Sequence, residues 1–136
     1  CMGRGEEVAR GPDGGRGAPA ASVSVGDAYA GTGRLEKSCA DFTAMFIIAD
    51  AMASAAIKAL EDCGRSVPGD CSVIAIDGLT LSEYVRPTLT TFRQPMERLG
   101  EESVRILLDV ISGSSGHRHV VVEPELRPGA SVATPK

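Results

Sequence analysis

The chain has 136 residues, with fourteen basic against eighteen acidic side chains and a formal net charge of −4. No Lys/Arg block interrupts that balance, so nothing in the sequence is equipped to neutralise a run of phosphates, and no apolar stretch approaches the ~18 residues of a membrane span. The length is that of one domain, but about the first 40 positions are too poor in large apolar side chains to join a core, leaving about 95 residues to build a small one.

Residues 1–21 are rich in Gly, carry Pro12 and Pro19, and hold almost no large apolar group. Burial there would not offset the entropy of ordering the backbone, so the segment reads as a disordered or non-native extension. The opening Cys1-Met2-Gly3-Arg4-Gly5 lacks the apolar heart of a secretory signal, and the expected address is the cytoplasm. Residues 22–42 read as a partial, weakly ordered segment, with a short strand at Ser22–Val25 and two turns of helix from Thr32 to Cys39. Gly31-Thr32-Gly33 looks like the start of a dinucleotide loop, but Glu36 occupies the third glycine position and the phosphate-cradling pattern fails.

From Thr43 the signals sharpen. Thr43-Ala-Met-Phe-Ile-Ile48 is a short apolar run of the kind expected of a strand covered on both faces. Asp50 follows where an N-cap belongs, and Ala53, Ala56, Ile57, Leu60 and Cys63 recur at helical spacing up to the C′ stop Gly64. A second buried strand is expected at Cys71–Ile76, ending at Asp77-Gly78. Strand, helix and strand within about 35 residues make a βαβ unit, whose strands must run parallel.

A loop then leads from Gly78 to Pro87, with one helical turn at Leu81–Tyr84, into a β-like segment at Leu89–Phe92. Pro95 suits the first position of a long helix closed by Gly113. On it Leu99, Ser103, Val104, Leu107, Leu108 and Ile111 form one stripe, read as ordinary core packing. A last strand is expected at His119–Glu123.

In an open parallel sheet, ligands gather outside the carboxyl ends of the strands. Asp50 and Asp77 both fall there, on one edge, where carboxylates are able to grip hydroxyls or an amine. Helix capping for Asp50 and turn formation for Asp77 are the plainer alternatives, and both stay open at this point. Tyr84 and Phe92 are candidates for an apolar wall against a flat ligand, or for core. No nucleophile elbow or paired His points to catalysis, so no enzyme and no catalytic residue is expected. Cys1, Cys39, Cys63 and Cys71 show neither a C-x-x-C pair nor metal-like spacing with His117 and His119, so the thiols read as buried or incidental and no metal or cofactor is expected.

Three segments in order carry a family resemblance: Thr43–Ala53 with Asp50-Ala-Met-Ala53 at its end, Val67-Pro68-Gly-Asp70-Cys-Ser72-Val73-Ile-Ala-Ile-Asp77, and Tyr84-Val-Arg-Pro87-Thr-Leu89-Thr-Thr91-Phe-Arg-Gln94-Pro95. Together they resemble the effector domain of lactose-repressor (LacI/GalR) type transcription regulators over about Thr43 to Ser131. The resemblance implies an α/β fold, a parallel sheet with flanking helices, forming a single lobe of a type I periplasmic-binding-protein-like core. It divides the chain into an extension (1–21), a partial segment (22–42), the C-terminal lobe (43–131) and a tail (132–136).

It implies a small effector, a sugar or a nucleobase-like molecule, with Asp50, Asp77, Gly78 and Tyr84 as ligand-binding positions. It also implies a homodimer in which Ala53, Ser54, Ala56 and Ile57 lie near the subunit interface. Operator DNA would be met only through an N-terminal helix-turn-helix head, so the chain is expected to be a truncated form unable to bind DNA alone. A sugar-binding protein of a transporter and a dimerisation-only fragment are the rival readings. Pro128, where relatives continue a strand, is expected to shorten it.

Overall fold

The computed structural model describes residues 24–38, 42–113 and 119–134. In chain order these form α1 (Val25–Lys37), β1 (Ala44–Ile47), α2 (Asp50–Asp62), β2 (Ser72–Asp77), a 3-10 turn (Thr80–Glu83), β3 (Thr90–Arg93), α3 (Met96–Ile111) and β4 (Glu125–Arg127). The sheet order is β1-β2-β3-β4. The first three strands are parallel, Ile47 pairing with Ala75 and Ala75 with Thr91, and β4 runs antiparallel along β3 with Phe92 opposite Leu126. The expected parallel βαβ unit is therefore present, as β1-α2-β2.

α2 carries the core. Ala53, Ala56, Ile57 and Leu60 face the sheet and meet Ile47, Cys71, Val73, Ala75 and Leu89. Burial also pushes the Cys71 thiol up from its ordinary range, which keeps it protonated and inert, whereas Cys63 is exposed. The helix ends as its sequence demands. Gly64 takes φ +82, its N–H reaches Glu61 O and the N–H of Arg65 reaches Leu60 O, closing a Schellman cap.

Ser24 caps α1 through Asp27 N–H, so Val25 opens a helix rather than closing the strand expected at Ser22–Val25. Instead of two turns from Thr32, the helix runs thirteen residues. It lies on α2, where Tyr29 donates to Asp62 at 2.8 Å and Arg65 reaches Glu36 at 2.8 Å while stacking on Phe42. Lys58 also pairs with Asp62, and these partners hold the Asp62 carboxyl below its ordinary range. The disordered reading of 1–21, along with Cys1, Cys39 and His117, lies outside the described residues.

Three further expectations need correction. β1 is not covered on both faces: Met45 and Ile47 turn toward α2, but Phe46 on the alternate face is 59% exposed. The α3 stripe is not core packing, because no residue of that helix is buried and Leu107 is 56% exposed. Nor is there a strand at His119–Glu123; the ladder forms two residues later, at Glu125–Arg127, and stops at Pro128, as a residue without an N–H requires.

Beyond Pro128 the chain returns to the foot of the sheet. A Cβ on Gly129 would lie 2.5 Å from the Leu89 carbonyl carbon and the Thr88 oxygen, so only glycine admits this approach. Ser131, fully buried, then donates to Val73 O at 2.6 Å and accepts from Thr90 N–H at 2.8 Å, bridging β2 and β3. Among the described residues no helix is long and apolar enough to cross a membrane.

Candidate functional site

Because β1, β2 and β3 are parallel, their carboxyl ends deliver the segments starting at Ile48, Asp77 and Arg93 to one edge of the sheet. Asp50 and Asp77 both fall at that edge, and a hydrogen bond from Leu79 N–H to Asp50 Oδ2 at 2.7 Å joins their neighbourhoods.

The two acids differ in environment. Asp50 is not the N-cap: Ala49 holds that place, without a side-chain cap, and Asp50 is the first helical residue of α2. Its carboxylate turns inward, 0% exposed, taking the Thr91 hydroxyl on Oδ1 at 2.5 Å and Leu79 N–H on Oδ2. A buried carboxylate is tolerable only with such partners, and its place in the first turn of a helix helps.

Asp77 is half-buried at the lip. Its Oδ1 accepts from Gln94 Nε2 at 2.9 Å and its carbonyl from Gln94 N–H at 3.2 Å. Its φ is +129, a region that costs a non-glycine residue about 1–3 kcal/mol and survives only where neighbours over-determine it. Gly78 continues the turn at φ +68, with its N–H on Thr91 Oγ1 at 3.3 Å. A Cβ there would collide with the Cα and side chain of Arg93, so the loop can lie against β3 only as glycine.

Past Leu79 the 3-10 turn is fastened from below: Ser82, buried, donates to Leu79 O at 2.7 Å, and its carbonyl accepts Leu89 N–H at 2.9 Å. Glu83 pairs with Arg127 of β4 at 2.9 Å. Tyr84, at the end of the turn, is 74% exposed and belongs to no core. Phe92 is half-buried in β3 and, by strand alternation, faces away from Thr91 and so away from Asp50.

The structure thus brings Asp50, Asp77 and Gly78 together, with Tyr84 one turn further along the same loop. It does not bring Ala53, Ala56 and Ile57 to a subunit surface, since all three are packed inside the core. Of the four interface candidates only Ser54 is partly open, and its hydroxyl is donated to Asp50 O. Sequence reasoning passed over Thr91, Gln94 and Ser82. Thr91 and Gln94 lie within the quoted Thr-Leu-Thr-Thr-Phe-Arg-Gln-Pro segment, but the register that sets Thr91 beside Ala75 is a property of the sheet, and the sequence alone does not separate Thr91 from Thr90. No group of three or more His, Cys, Asp or Glu able to hold a metal occurs among the described residues.

Residues 12–132 match the model of the periplasmic binding protein-like domain family. The chain is 40% identical over 101 residues to the HTH-type transcriptional regulator MalR of Clostridium butyricum, which covers 74% of this chain and 30% of that protein. It thus spans about three-tenths of that relative's length. Among solved structures, it is similar to the transcriptional regulator CelR in complex with cellobiose (TM-score 0.74, 32% identity, 81% of this chain and 34% of that one). It is similar also to the lac repressor dimer bound to operator and the anti-inducer ONPF (TM-score 0.76, 27% identity, 82% and 39%). These relatives are transcriptional regulators, not enzymes.

Proposed function

Because this chain belongs to the family of periplasmic binding protein-like domains that LacI-type transcriptional regulators carry, we propose that it is the effector-sensing portion of such a regulator. The ligand is a small polar molecule, a sugar or a nucleobase-like compound, received on the rim at the carboxyl ends of β1–β3. The observation that carries the reading is Asp77: a carboxylate at the end of a strand, on a residue with strained backbone, tied on one oxygen to Gln94 and making no other side-chain hydrogen bond among the described residues. The other carboxylate oxygen, Oδ2, accepts from a ligand hydroxyl or N–H, Gly78 lets the loop that carries Asp77 lie close on β3, and the exposed Tyr84 ring supplies a flat face. The cellobiose complex of CelR supports a sugar in particular.

The same proposal places the protein in the cytoplasm, as a homodimer like the lac repressor it resembles. Reading operator DNA belongs to a helix-turn-helix head of the kind named in the relatives, not to this lobe. Effector binding biases which arrangement of the whole regulator is populated.

The test is calorimetric titration of the chain with cellobiose, lactose, ribose and hypoxanthine. At least one should bind, and Asp77→Asn, which keeps the shape but removes the charge, should weaken it by about tenfold or more. An unchanged Kd in Asp77→Asn would remove Asp77 from the site, and silence across the panel would count against the sensing role.

A further inference from the structure

We infer that Asp50, together with Thr91, is a positioning residue for the effector rim: it touches no ligand and instead fixes the path of residues 77–79, an inference that rests on the rim reading given above. Both carboxylate oxygens are spent inside the protein, on Thr91 Oγ1 at 2.5 Å and Leu79 N–H at 2.7 Å, and neither residue of the Asp50–Thr91 pair has any exposed surface. A ligand reaching Asp50 would have to displace one of these partners.

The geometry gives the pair a defined output. Leu79 N–H bonds Asp50 directly, and Gly78 N–H bonds the same Thr91 hydroxyl that donates to Asp50. Two consecutive amides are thereby drawn to one anchor beneath the rim. Directly before them stands Asp77 at φ +129, held from the other side by Gln94. An unfavourable φ of this kind persists only where surrounding bonds leave no alternative, and the Asp50–Thr91 anchor with Gln94 supplies those bonds. Thr91 is reached from β3 and Asp50 from the start of α2, so the anchor ties the ligand rim to both elements.

Three variants of the full chain test this by amide hydrogen exchange without ligand, together with affinity for whichever of cellobiose, lactose or ribose the parent binds. Asp50→Asn replaces one acceptor with a donor, Thr91→Val deletes only the hydroxyl, and Thr91→Ser keeps it. Asp50→Asn and Thr91→Val should speed exchange at Gly78 and Leu79 about tenfold or more, leave the Ala53 and Ala75 amides unchanged, and weaken the sugar about tenfold. Thr91→Ser should restore both readouts.

Unchanged exchange at Gly78 and Leu79 in Thr91→Val would overturn the inference. So would loss of sugar binding in Asp50→Asn with parental exchange, since that outcome makes Asp50 a direct contact. If Asp50→Asn fails to fold, the Thr91→Val and Thr91→Ser pair decides alone. Should the parent bind no sugar, the sensing role fails while the exchange measurement still judges the anchor.

Discussion

Gly78 is the residue at which backbone geometry and site geometry coincide. Its φ of +68 is costly for any side chain, and a Cβ would press on the Cα and side chain of Arg93 in β3. Gly78→Ala therefore adds conformational strain to a collision with backbone, and equilibrium denaturation should show a loss of about 1–3 kcal/mol. A loss under about 0.5 kcal/mol would mean that the loop yields freely and that the rim is not held. At the neighbouring acids, residue type alone did not reveal the division of labour. Asp50 and Asp77 look equivalent in sequence, each closing a strand region, yet one is sealed beneath the rim and the other stands at its lip. The difference comes from Thr91 on β3 and Gln94 just after it, more than ten residues away in the chain.

At the scale of elements, α2 and α3 show how little periodicity says about where a face goes. Both have an apolar side, but that of α2 meets the sheet while that of α3 meets no described residue closely enough to be buried. The two helices should respond oppositely to substitution. Leu60→Ala, at a fully buried position, should cost about 2–5 kcal/mol, whereas Leu107→Lys should change the stability of this chain by no more than about 0.5 kcal/mol. Thermal or chemical unfolding checks both, and a large loss at Leu107 would show that α3 is packed in solution. β4 makes a related point. The apolar run at Val120–Val122, upstream of it, promised a strand, but pairing with β3 is set by register, and Leu126 rather than a valine stands opposite Phe92.

For the whole molecule, charge is the property that bears most directly on its role. With a net charge of −4 and no cluster of Lys or Arg in sequence, the chain carries no run of basic residues to neutralise successive phosphates of a duplex. We propose that it senses without reading DNA. At about 10 μM and low salt it should leave the electrophoretic mobility of duplex DNA unaltered, and a salt-dependent shift would contradict this.

Much of this was legible in the amino-acid sequence. Alternating apolar runs broken by Asp50, Gly64 and Gly78 determined a βαβ unit with parallel strands, because a helix of that length between two short strands leaves no other connection. Parallel strands in turn determined that Asp50 and Asp77 share an edge. Only the tertiary structure decided which acid faces outward, that Ala53, Ala56 and Ile57 are core, and that the α3 stripe is uncovered. Those outcomes depend on which surfaces meet across the fold, and a local pattern specifies an apolar face or a carboxylate without specifying the partner that arrives to cover it.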